Sequence, residues 1–170
     1  MARKGSNRKP RPVEETTCTF PELHDKVSAA LEGTGLEPAW IERGSHNSSE
    51  HDEEYSTNVM GRFSCTNGSC KTDGWDSKKV AIIIRGYDDC EGYNAQVFKQ
   101  RCRQCKRLGK LTLHETSYIE RVTYRLKRWA GVAVQRPEYN GSDDRPPHKQ
   151  ELCEGCQAGY CQRGTRVYVD

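Results

Sequence analysis

Core-forming side chains are scarce in this chain of 170 residues: Leu, Ile, Val and Phe together number 26, about 15%. That is under the roughly 20% at which strongly charged chains stay disordered. The formal net charge is only +3, from 27 basic and 24 acidic residues, so self-repulsion does not hold the chain open. Only a small interior can form, and something else must help to hold it. Long apolar runs are missing as well. The longest, Val80 to Ile84, is far short of the roughly 18–20 residues a membrane span needs. The opening MARKGSNRKPRPVEE lacks the apolar stretch of a secretory signal, so the expected location is cytoplasmic and/or nuclear, not secreted. The chain also lacks a Gly-rich phosphate loop and a Ser/His/Asp arrangement. Neither an enzyme nor a small-molecule substrate is expected.

Cysteine is what the chain has in excess, with 9 residues. In a reducing compartment disulfides are rare, and an odd count fits a disulfide framework poorly. Metal is therefore the expected use of the thiols. Cys102-Arg-Gln-Cys105 has the two-residue gap that lets one turn offer both sulfurs to a single ion. Cys65-Thr-Asn-Gly-Ser-Cys70 is wider, with an Asn-Gly pair suited to a tight turn. Together the two knuckles compose a four-cysteine site of zinc-ribbon type. The same thiolates could carry an iron–sulfur cluster, but nothing else in the chain suggests electron transfer, and zinc is expected.

A second constellation follows: His148, Cys153, Cys156 and Cys161, with Gly155 and Gly159 keeping its loops tight. His148 is the expected fourth ligand and Cys90 the reserve, although Asp88-Asp89-Cys90-Glu91 reads as an acidic hairpin turn. Cys18 reads as a free thiol, and the loop histidines His46 and His51 are left out of the metal count. The expected cofactor is thus two Zn²⁺ ions. Structural zinc contributes on the order of 10–16 kcal/mol in small modules, against ~5–15 kcal/mol for the stability of a whole domain. Two closed sites would offset the thin core, and closed sites are structural, not catalytic.

The expected fold is α+β, an antiparallel sheet tied by zinc knuckles with two packed helices. Residues 1–17 read as a disordered basic arm, 18–164 as one domain and 165–170 as a tail. Thr19 with Glu22 suggests a capping box opening a first helix, which carries Leu23, Val27, Ala30 and Leu31 and stops at Gly33 and Gly35. A short strand is expected within Leu36 to Ile41, and a mobile acidic loop over 44–58. Strands are expected from Asn58 to Cys65, Val80 to Arg85 and Tyr93 to Gln100. The clearest periodic element is a helix from about Glu115 to Trp129, with Ile119, Val122, Leu126 and Trp129 on one stripe and Gly131 as its C-terminal cap.

These residues carry a resemblance. Asn58 to Cys65, Gly74-Trp75 with Ser77 to Val80, Tyr93-Asn94-Ala95, Gln100-Arg-Cys102, Tyr118 to Val122, Tyr124 to Lys127, Trp129-Ala-Gly131, Pro147-His148 and Leu152 to Cys156 are similar to the 3CxxC-type zinc-finger family. That family includes receptor-transporting proteins, zygote arrest proteins and many short fungal proteins, and this chain looks most like the last. The resemblance covers roughly residues 20–162 and implies zinc binding.

Two partner classes follow. Lys99, Arg101, Arg103, Lys106, Arg107 and Lys110 carry six positive charges with no acid among them, and Arg121, Arg125 and Arg128 add a helical face. Such a surface could follow a phosphate backbone, with Tyr118, Tyr124 or Trp75 stacking on unpaired bases. Nucleic acid, RNA before DNA, is therefore the first expected partner, and zygote arrest proteins are associated with RNA. The alternative is a protein-interaction or chaperone adaptor, as the receptor-transporting proteins suggest.

Overall fold

The β-branched run Val80-Ala-Ile-Ile-Ile84 lies at the centre of a six-stranded sheet, where its side chains alternate between two buried faces. It belongs to β4 (Gly74–Tyr87), flanked antiparallel by β3 (Glu53–Ser64) and β5 (Gly92–Phe98). The computed structural model of the protein describes residues 13–42, 51–136 and 148–161. Within them β6 (Lys110–Leu113) adds to the outer edge of β3. The outer edge of β5 is shared by β1 (Thr17–Cys18), antiparallel, and β2 (Ala39–Trp40), parallel. The sheet therefore runs β1-β5-β4-β3-β6, with β2 beside β5.

One face of the sheet holds the main core. Val80, Ile82, Ile84, Val59, Phe63, Tyr93, Ala95 and Val97 meet Leu23, Val27 and Leu31 from α1 (His24–Ala30) and its flanks, and Tyr118, Val122 and Leu126 from α2 (Glu115–Trp129). Of the periodic stripe read from the sequence, Val122 and Leu126 are buried while Ile119 and Trp129 are half-buried at the edge of the core. Tyr118 completes the buried face of α2, and Gly131 adopts the left-handed conformation (φ 73°) that ends the helix. The antiparallel α+β architecture with its two packed helices is as expected.

Between Val59 and Gly61 the pairing steps from Val80 to Ser77, so β4 carries one extra residue there. Such a bulge twists the strand and re-aims its side chains. Below it Phe63 and Trp75 stack at 5.3 Å. Past Phe98 the chain turns back on itself. Arg101 bridges Leu108, and the Gly109 amide donates to the Gln100 carbonyl, which delivers β6 to β3 and curls the sheet at this end.

The opposite face is covered by the segment 148–161, a 3₁₀ turn (Gln150–Leu152) followed by the single-turn α3 (Glu154–Gln157). Cys153 and Cys161 pack there on Ala81, Ile83 and Phe98. A Cβ at Gly155 would stand 2.4 Å from that of Ala81, so only glycine lets the segment lie this close.

Three local expectations give way. The Thr19 capping box does not form, because the entry is a 3₁₀ turn at Pro21–Leu23 with Phe20 at the cap position and no side-chain cap. The acidic stretch is strand from Glu53 onward, since pairing with β4 supplies its backbone partners and Arg85 meets Glu54. Thr17, assigned to the arm, belongs to β1, and the Thr16 carbonyl accepts from the Lys99 amide. Residues 1–12, the loop up to Glu50 and the tail 165–170 lie outside the described residues.

Candidate metal centres

The first centre sits where the sheet curls. Cys65 and Cys70 lie on the turn between β3 and β4, and Cys102 and Cys105 on the turn between β5 and β6. The wider knuckle is shaped by Asn67, whose side-chain oxygen accepts from the Ser69 amide while its carbonyl accepts from the Cys70 amide. The Cys102–Cys105 turn closes with the Lys106 amide on the Cys102 carbonyl, which puts Lys106 in the left-handed region (φ 61°). Glycine suits that conformation best, so the sequence carries no signal of it. The Thr66 hydroxyl donates to the Leu108 carbonyl and ties the two knuckles together.

The four ligand atoms lie within 4.8 Å of one another, with Cys65 Sγ 3.5 Å from Cys105 Sγ and Cys70 Sγ 3.8 Å from Cys102 Sγ. Zn–S bonds of ~2.3 Å in a tetrahedron set the sulfurs about 3.8 Å apart. A disulfide requires about 2.05 Å, and all nine cysteines are free thiols. The donors therefore fit a zinc ion held by four thiolates. The surroundings also favour thiolate at part of the site. The Cys105 and Gln104 backbones, overcoming burial, pull Cys102 down to about 6. The Arg107 backbone lowers Cys105. The Asn67 backbone favours the Cys65 thiolate, but burial and the other three sulfurs win and push that thiol up to about 12.

The second centre gathers His148, Cys153, Cys156 and Cys161, again within 4.8 Å. His148 Nε2 is 3.4 Å from Cys156 Sγ and 3.6 Å from Cys161 Sγ. His148 is thus the fourth donor. The reserve, Cys90, lies in the β4–β5 turn, where Asp88, Asp89 and Cys90 all have positive φ. Gly159 (φ 82°) turns the chain so that the Tyr160 and Cys161 amides both donate to the Gly155 carbonyl. A hydrogen bond with Cys161, helped by His148, holds Cys153 down at about 4. Cys161 is pushed up in return, chiefly by Cys153, and burial raises Cys156. Three sulfurs and an imidazole fit a second zinc ion, and neither set keeps a position open for substrate.

A family model for a zinc-binding domain, the zinc ribbon of 3CxxC type, matches residues 58–159. The chain belongs to this family. No curated protein and no solved structure matches it. The match in this 3CxxC zinc ribbon ends two residues before Cys161, which the geometry adds to the ligand set.

The basic residues are divided by the fold. Arg103, Lys106, Arg107 and Lys110 are exposed at the first centre, and none of them makes an ion pair among the described residues. Lys99 donates to the Glu15 carbonyl. Arg101 is held by Glu14, Glu154 and the Lys106 carbonyl. Arg125 lies 3.2 Å over the Tyr55 ring, and burial lowers its pKa. Because α2 leaves the sheet beside Met60 and brings Trp129 to Gly86, its arginines run away from the zinc knuckles. Arg121 is half-buried and Arg128 exposed on that helix.

The expected stacking residues are not at the basic tip either. Tyr118 is fully buried, Trp75 gives one face to Phe63 and its N–H to Gln100, and Tyr124 sits on α2 near Arg125. Next to the tip, between β1 and β6, is a cleft of about 660 Å³ whose walls include Phe20, Leu108 and Leu111, with Lys99, Arg107 and Lys110 set against Glu14 and Glu15. No helix among the described residues is long and apolar enough to cross a membrane.

Proposed function

We propose that this zinc ribbon binds single-stranded nucleic acid, RNA before DNA, with the four-cysteine knuckle as its phosphate-binding tip. The observation that carries the reading is the cluster of Arg103, Lys106, Arg107 and Lys110, four exposed cations on a knuckle braced by a metal centre and on the first residue of the strand that leaves it. A zinc ion on four thiolates is formally doubly negative, and cations around it offset that charge. Four at one knuckle exceed what neutrality needs. The cleft between β1 and β6 supports a single strand over a duplex, because its apolar walls suit an unpaired base and Arg107 and Lys110 on its β6 side suit the phosphate, with Glu14 and Glu15 on the opposite side. Acidic residues collect at the far end of the sheet, where Asp52, Glu53, Asp89 and Glu91 surround the β4–β5 turn. This polarity would orient the knuckle end towards a polyanion. The resemblance to zygote arrest proteins points the same way.

The test is binding of a fluorescent single-stranded RNA across a salt series. Single strands lose roughly 0.7 in slope of log affinity against log salt per phosphate contact, so four contacts predict a slope near about −3. Lys106→Gly removes one charge and relieves the left-handed backbone, and it lowers the slope by about 0.7 while leaving the fold intact. Affinity that ignores both salt and Lys106→Gly would favour the protein-docking adaptor instead.

A further inference from the structure

We propose that the segment from Lys99 to Cys102 that follows β5, clasped by Arg101, couples the two metal centres, so that loading one tightens the other. One centre sits at the curled end of the sheet and the other on a sheet face, yet they share this segment. Gln100 bridges Cys153, a ligand of the second centre. The Arg101 amide donates to the Leu152 carbonyl at 2.7 Å, and the Glu154 amide donates to the Lys99 carbonyl at 3.1 Å. The next residue along the chain is Cys102, a ligand of the first centre.

The Arg101 side chain spans the same junction. Its guanidinium meets the Glu154 carboxylate beside Cys153, the Lys106 carbonyl of the first knuckle at 3.1 Å, and Glu14 at 2.9 Å. Glu154 is shielded, with its side chain 12% exposed. Arg101 is thus a positioning residue that touches the scaffold of both centres and a ligand of neither. Its fork can serve three acceptors at once, which an ammonium cannot match in geometry.

The element that moves between two states is the segment 148–161. It has no sheet of its own and is seated on the large one by Gly155 against Ala81, by the stack of Phe98 on Tyr160 at 5.6 Å, and by the strand bridge. Metal fixes its shape, and that shape fixes the seat. A seated segment holds residues 99–101 in register and therefore holds Cys102 in place. Linkage makes the effect reciprocal.

The test is a metal titration of the full chain. Native mass spectrometry counts the species, and the cobalt absorption of the four-cysteine centre reports its affinity. At one equivalent of zinc, tenfold coupling of two sites of equal affinity lowers the one-metal form from about half of the chains to about a quarter, with metal-free and two-metal forms in excess of it. A dominant one-metal form would overturn the proposal. Gly155→Ala leaves all eight ligands and Arg101 in place but unseats the segment, and it should weaken cobalt binding at the four-cysteine centre by roughly tenfold, a coupling in the lower part of the usual range. Arg101→Gln should act in the same direction, with Arg101→Lys restoring part of the loss. Unchanged affinity at that centre in both Gly155→Ala and Arg101→Gln would sink it.

Discussion

The two metal centres use similar donors but are built in opposite ways. The four-cysteine centre joins parts of the chain 40 and 32 residues apart, one knuckle at the end of the β3–β4 hairpin and the other on the connection from β5 to β6. Its ion therefore closes a long loop of the sheet. The centre of three cysteines and His148 draws every ligand from residues 148–161 and closes only itself. The first centre is part of the sheet's architecture, and the second is a local fold laid on a sheet face and tied to the chain beyond β5. Losing the ion should unfold the domain in one case and uncover a sheet face in the other.

That contrast can be broken by substitution. The largest effect is expected from Cys102→Ser, at a position with no solvent exposure. It should abolish cooperative unfolding, because structural zinc contributes on the order of 10–16 kcal/mol while a domain is stable by less or about as much. Chemical denaturation with metal analysis checks this. Cys161→Ser should keep one zinc at saturating metal, retain the helical signal of α2 and bind an apolar dye through the uncovered Ala81, Ile83 and Phe98. A variant that loses both the sheet and the second ion would erase the distinction.

Smaller changes sharpen it. Leu126→Ala in the core shared by α2 and the sheet should cost about 2–5 kcal/mol, read from the denaturation midpoint. Gly155→Ala should cost about 1–3 kcal/mol through overpacking against Ala81. Its loss of amide protection should be greatest in the segment 148–161, visible as faster exchange there. Lys106→Gly is the smallest, a gain or loss within about 1 kcal/mol, as relief of the left-handed backbone offsets the added freedom of the unfolded chain.

What the sequence made legible follows from how local each signal is. The stripe of Ile119, Val122, Leu126 and Trp129 is a helical period, and α2 forms where that period runs. The His148 to Cys161 spacing is local too, and its four donors converge. The four-cysteine set was readable because two knuckles, one tight and one wider with an Asn-Gly turn, announce themselves separately. What escaped depends on long-range pairing. The short strand β6 continues a charged stretch that reads as knuckle, and only β3 makes it a strand. Glu53 and Glu54 read as loop by composition, yet the isoleucine-rich β4 recruits them. The basic residues looked like one patch along the chain. The return of residues 100–109 and the direction of α2 split them, and Arg101 and Arg125 are spent on internal contacts.

Metal supplements the small interior this chain can form. Thermal unfolding of the purified protein before and after treatment with a strong chelator tests that directly. Chelation is expected to remove two zinc ions per chain and with them the cooperative transition. A transition that persists at the same midpoint once the metal is gone would contradict it.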